Sequence, residues 1–238
     1  MIDQSNSLML SLGGFFKALG RILTFRARRD EFFFEDRRFL YFGLLTTWMV
    51  GIGRFWDNPS VPFYRHFGVG SVLYVPILAF LLFVVILPFK PEAWTYRRVA
   101  TFVAMTAPPG FLYAIPIQML WGLESANSWH FVFLGIVSTW RVALLFFYLG
   151  RFAALGWLMQ LVCSLLPLSM IISTLTVLNL DRVVFDLMDG VELRTANDSS
   201  YVVLFALTTL SVVILLPLLL AYFIGVRVAY KKQRASQQ

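Results

Sequence analysis

The chain has 238 residues, 59% of them hydrophobic and 14% charged, with a net charge of +7 and a mean hydropathy of +0.74. Soluble domains carry roughly a quarter charged residues, so this composition excludes an ordinary soluble globular protein and makes the bilayer the solvent. In such a chain a basic excess reports topology and contact with anionic lipid rather than nucleic acid.

The first segment, SLGGFFKALGRILTFRARRDEFFFEDRRF, places Leu12, Phe15, Phe16, Leu19, Ile22 and Leu23 at helical spacing, with Lys17 and Arg21 opposite. This pattern predicts an interfacial amphipathic helix with its apolar face in the acyl boundary. Lys17, Arg21, Arg26, Arg28 and Arg29 are its lipid-binding cations, turned toward anionic headgroups. Gly13 and Gly14 weaken its start, and the stretch lacks the small-residue cleavage site of a signal peptide. Asp30, Glu31, Glu35 and Asp36 could form a metal site. Arg26, Arg28, Arg29, Arg37 and Arg38 lie so close that mutual ion pairing is the favoured reading.

Six apolar segments follow, at 39–55, 69–87, 99–120, 129–149, 155–178 and 201–226. A span needs about 20 apolar residues, and in lipid the backbone must bond within the segment, so these are expected to be helices. The fold class expected is all-α: a polytopic bundle of about six spans after the interfacial helix. Residues 1–38 form the cytoplasmic or interfacial region, 39–226 the bundle and 227–238 a basic cytoplasmic tail. The cations orient it. Lys17, Arg21, Arg26, Arg28, Arg29, Arg37, Arg38, Lys90, Arg97, Arg98, Arg151, Arg227, Lys231, Lys232 and Arg234 gather on one side; Arg54, Arg65, Arg182 and Arg194 are on the other. Positive residues stay inside, which sets both termini in the cytoplasm. Trp94, Tyr96, Trp157 and Tyr230 fall at the inner interface, and Trp56, Tyr64, Trp121, Trp129 and Tyr201 at the outer one.

One span, LGIVSTWRVALLFFYLG, carries Arg141 about nine residues from Gly150, roughly 14 Å deep. An arginine there costs at least about 2.5 kcal/mol, so it is expected to face the bundle and find partners. No acid lies at that depth in any expected span. The segment TFVAMTAPPGFLYAIP supplies Thr106, and its Pro108 and Pro109 donate no N–H, freeing the carbonyls of Ala104 and Met105. Ser138, Gln160 and Ser164, with Thr46 and Thr47, complete the expected polar layer, and Pro76, Pro167 and Pro217 add expected helix breaks. Two readings of this set stay open. Arg141 is a structural brace on freed carbonyls, or it draws an anionic ligand into a cavity lined by broken helices.

Elsewhere the chain is chemically plain. His66 and His130 lack carboxylates at metal-ligand spacing, and no H-E-x-x-H, G-x-S-x-G or Walker sequence occurs. The expectation is no catalytic residue, no metal and no cofactor. The loop acids Asp181, Asp186, Asp189, Glu192 and Asp198 read first as a solvated external surface and second as a cation or basic-partner site. Asn197-Asp198-Ser199 matches a glycosylation acceptor, or caps the last helix. The single cysteine, Cys163, falls inside an expected span.

The order FFFEDRR, then PEAWTYRRVATFVAMTAPPGFLYAIP, then STWRVALLFFYLG, over residues 15–180, resembles bacterial membrane proteins of the Yip1 type. That resemblance implies an N-terminal cytoplasmic region, a compact bundle and a proline-bearing helix after a short basic loop. Six spans are read here where that family usually has five. It also implies a non-enzymatic protein; the eukaryotic members act in vesicle trafficking and bind small GTPases. No binding residue carries over. The function expected is a lipid- or protein-binding scaffold in a bacterial inner membrane. Its expected partners are membrane lipids through their anionic headgroups, with a protein partner or a second copy of the chain, and no nucleic acid. The alternative is a small transporter or channel for an anionic or polar solute, built on Arg141.

Overall fold

The computed structural model describes residues 12–32, 36–53, 67–115, 123–178 and 199–235. The expected outer-loop features, namely Arg54, Trp56, Tyr64, Arg65, His66, Trp121, the acids 181–198, Arg182 and Arg194, lie outside the described residues. Among the described residues there are seven α-helices and no strand.

Helix α1 (Leu12–Leu23) runs straight through Gly13 and Gly14. Its stripe Phe15, Ala18, Leu19 and Ile22, spaced i, i+3, i+4, i+7, is buried against the rest of the protein, Ile22 completely. The Phe15 ring meets Phe39 at 4.8 Å and Phe42 at 4.4 Å. The apolar face expected among acyl chains is therefore used largely within the molecule, and Phe16 is its exposed remainder. The helix ends with Phe25 N–H donating to Ile22 O and Arg26 N–H to Arg21 O, the paired bonds of a Schellman turn. Trp140 Nε1 donates to Leu23 O at 3.0 Å and pins that end to a later helix.

Helix α2 (Arg37–Gly53) is 17 residues long and packs closely on its neighbours through glycines. A side chain at Gly43 would stand 2.7 Å from Ala104 Cβ, and one at Gly53 would stand 2.6 Å from Ala114 Cβ. Likewise a side chain at Gly51 would meet the backbone of Gly68. Gly68 itself has φ 65, a left-handed turn that suits glycine, and it opens α3 (Val69–Ile86). In α3 the face Val75, Leu78, Ala79, Leu82, Val85 and Ile86 is buried, while Leu73, Ile77, Phe80 and Val84 face outward.

Helix α4 (Tyr96–Met105) stops after 10 residues, and the chain continues as a 3-10 segment, Pro108–Ala114. Two adjacent prolines and Gly110 account for the break. By contrast α3, α6 (Trp157–Val177) and α7 (Ser199–Ala235) run through Pro76, Pro167 and Pro217, although these positions were expected to break them. A lone proline removes one donor and bends a helix, and neighbouring helices hold it together in a bundle.

Helix α5 (Leu123–Arg151) turns into α6 where Gly150 packs on Gln160. Helix α7 returns along α6, where Gly225 lies against Met159. It continues past residue 226 through Arg227, Lys231, Lys232 and Arg234, residues that favour helix. Among the described residues, four segments are long and apolar enough to cross a membrane: Val69–Phe89, Val132–Arg151, Trp157–Val177 and Phe205–Ala235. The other two expected spans, 39–55 and 99–120, correspond to the shorter α2 and the interrupted α4. Gly43 against Ala104, Trp94 against Tyr148 and Lys90 against Tyr230 bring Arg37, Lys90, Arg97, Arg151 and Lys231 to one basic end of the bundle. Tyr222 Oη donates to Val85 O and Lys90 Nζ lies over the Tyr230 ring, tying α7 to the end of α3.

Candidate functional site

On α5, Arg141 shares a helical face with Val137, Leu144, Leu145 and Tyr148, all of them buried. It therefore points toward the bundle, as the cost of an arginine at that depth requires. Its guanidinium carbon lies 5.4 Å from the centroid of the Tyr74 ring on α3, a cation–π contact. Tyr74 is twelve residues from Ile86 and Arg141 ten from Arg151, so each sits roughly 15–18 Å from the basic end. Thr106 and Pro108, following the ten residues of α4, reach a similar level.

The break in α4 closes on its own backbone at Ala104. Ala107 N–H donates to Ala104 O at 3.1 Å, Thr106 N–H to Phe102 O and Val103 O, and Thr106 Oγ1 to Val103 O at 2.7 Å. Gly110 N–H then donates to Ala107 O at 2.8 Å. The tightened turn thus supplies Ala104 with a donor, and among the described residues Arg141 makes no hydrogen bond to it. Thr101, Phe102, Met105, Thr106, Ala107, Pro109 and Gly110 are all buried and Pro108 is half-buried. Neighbouring parts of the protein thus cover the irregular backbone at the break.

The remaining expected site residues are dispersed. Ser138 is exposed, its hydroxyl turned back to Gly135 O at 3.2 Å. Gln160 donates to Leu155 O at 2.6 Å and packs on Gly150, so it locks the α5–α6 turn at the basic end. Ser164 lies one turn deeper, buried, its Oγ without a hydrogen-bond partner among the described residues; Ser173 on the same helix is alike. Thr46 and Thr47 return their hydroxyls to Phe42 O and Gly43 O. Arg141, Tyr74 and the α4 break come to one level; Ser138 and Gln160 do not join them.

The expected lipid-binding cations divide into two kinds. Arg21 pairs with Glu31, and Arg29 with Glu92 at 3.0 Å. Lys17, Arg26 and Arg28 are exposed and make no ion pair among the described residues. Of the four carboxylates between 30 and 36, Glu31 and Asp36 pair with arginines, and Glu35 lies outside the described residues. Among the described residues, no cluster of three or more histidine, cysteine, aspartate or glutamate side chains could hold a metal.

One feature was not anticipated from sequence. Phe102 stacks on Tyr148 at 3.9 Å and 7°, and Tyr148 on Phe152 at 5.2 Å and 6°, with Trp94 against both of the latter. Beside this column Arg98 is buried and donates to Ala93 O at 2.8 Å. The i, i+4 spacing of Tyr148 and Phe152 was its signal in the sequence. No protein family, no curated protein and no solved structure matches this chain.

Proposed function

We propose that this chain is a non-catalytic membrane scaffold that binds anionic lipid headgroups along α1, a role of the kind the Yip1 resemblance implies. The observation that carries this reading is the division of α1. Its apolar stripe is docked on the bundle, and Lys17, Arg26 and Arg28 remain exposed, without an ion pair among the described residues. A docked helix presents its cations in a fixed array, and each contributes about 1 kcal/mol at an anionic surface. In this reading α2 and the interrupted α4 also cross. The seventeen residues of α2 reach about 25 Å, and α4 with its 3-10 continuation about 29 Å, close to a hydrocarbon core of about 30 Å. Six crossings put both termini with the basic end, on the cytoplasmic side of a bacterial inner membrane. A protein partner or a second copy would complete the scaffold.

The test is the lipid that copurifies from membranes of mixed phosphatidylglycerol and phosphatidylcholine. Wild type should be enriched in phosphatidylglycerol, and Lys17→Gln with Arg28→Gln should lower the enrichment about fivefold per cation. An unchanged ratio in a folded variant ends this reading.

A second reading, a pathway for an anionic or polar solute, is favoured by one observation. Arg141 faces inward at the level of a broken helix with an aromatic ring for company and no acceptor among the described residues. Proteoliposomes assayed for chloride, phosphate and acetate uptake test it. Uptake lost in Arg141→Gln supports a pathway; equal uptake by wild type and variant removes it.

A further inference from the structure

A shallow groove of about 570 Å³ runs along the outer face of α5, lined by Val132, Gly135, Ile136, Thr139, Trp140 and Ala143 together with Phe25. Gly135, Thr139 and Ala143 are spaced i, i+4, i+8, and a side chain at Gly135 would meet nothing within 4 Å. The row continues toward the basic end through Phe147 to Arg151. Arg151 is exposed, and its guanidinium lies 5.5 Å from the Phe147 ring.

Phe25 bounds the groove in an unusual way. It occupies the left-handed position of the Schellman turn that ends α1, with φ 60, where glycine is the common choice. A bulky residue there costs on the order of 1 kcal/mol, so its ring must be held for another reason. That ring packs edge-on against Phe147 at 5.8 Å, over the α5 row. The next residue, Arg26, is exposed and makes no ion pair among the described residues.

We propose that this groove holds an acyl chain of one anionic phospholipid, with Phe25 as its clamp and Arg26 and Arg151 as its headgroup ligands. The groove lies on a helix apolar enough to span, so acyl chains are its natural neighbours. Between Val132 and Ala143 it is about 16 Å long, suited to the distal part of a chain whose headgroup rests at Arg151. Charge selects the occupant. A helix from a second copy would cover the small residues but leave both guanidinium groups without a counter-charge, whereas a phosphate supplies one.

The proposal rests on the lipid-binding reading above and is tested apart from it. Full-length protein in mild detergent is given phosphatidylglycerol or phosphatidylcholine of identical chains, and retained lipid is counted by native mass spectrometry. Wild type should keep one phosphatidylglycerol in preference to phosphatidylcholine. Phe25→Gly preserves the turn and removes the clamp, and Gly135→Leu puts a bulky side chain into the groove at a position whose Cβ would meet nothing within 4 Å; each should lower retention. Arg26→Gln with Arg151→Gln should reduce the preference about 25-fold, fivefold for each cation. Equal retention by wild type and Gly135→Leu overturns the proposal. So does a wild-type protein that keeps both lipids equally. Conversion of a dimer to a monomer by Gly135→Leu, with phosphatidylglycerol retained, would assign the groove to a second copy and likewise overturn it. If Lys17→Gln with Arg28→Gln lowers retention while the groove variants do not, the groove falls and the scaffold reading stands.

Discussion

Helix α7 and the α2–α4 pair solve opposite problems. Helix α7 is 37 residues long, and over its most apolar stretch only 11% of residues are buried in the protein, against 39% for α6. Leu210, Val213, Leu216, Leu220 and Ile224 all face outward. Helix α2 and the broken α4 are short, yet glycines let their backbones close to contact and every residue from Arg98 to Ala107 is buried. The difference teaches that hydropathy and structural importance run apart in this chain. Of the four long apolar helices the longest makes the least of the core, because in lipid an apolar surface has no reason to hide. Cohesion comes instead from small residues, rings and short polar contacts.

That contrast can be broken or sharpened by substitution, with unfolding followed in mixed micelles. Tyr148→Ala removes the middle ring of the aromatic column and should cost about 3–5 kcal/mol; a loss under 1 kcal/mol would show the column to be dispensable. Gly43→Val forces a side chain into the α2–α4 contact and should cost about 1–3 kcal/mol, while tolerance at wild-type stability would mean the helices can separate freely. Tyr74→Leu and Arg141→Met should each change stability, with a coupling of about 1–2 kcal/mol in the double-mutant cycle; zero coupling would dissolve the pair. Val213→Ala on the outward face of α7 should move stability by less than about 0.5 kcal/mol, and a larger effect would mean that face is covered by another protein. Glu92→Gln, which opens an exposed pair with Arg29, should matter as little, about 0.5 kcal/mol or less, and any effect should vanish in high salt.

The legible part of the fold is what the bilayer imposes. Long apolar runs fixed α3, α5, α6 and α7, and the inward direction of Arg141 followed from the cost of a charge in lipid. Less legible was what protein neighbours impose. The stripe of Phe15, Leu19 and Ile22 looks the same whether it meets acyl chains or Phe39 and Phe42, since both are apolar. The carbonyl of Ala104, four residues before Pro108, looked available to Arg141, but a 3-10 turn reached it first through Ala107. Gln160 was placed by depth along its own helix; only the close approach of Gly150 shows that it belongs to a turn. The Tyr74 partner of Arg141 lies 67 positions away and could be reached only through the fold.

Arg141 also has an electrical consequence. A π face holds a cation without neutralising it, so the side chain keeps its full charge partway through the thickness of the bundle. A charge carried across a membrane is worth about 2.3 kcal/mol per 100 mV. A rearrangement that moved Arg141 from mid-depth to either surface would therefore exchange about 1 kcal/mol with a potential of that size. Such a displacement would register as a gating current, and the membrane voltage would bias the two positions about fivefold.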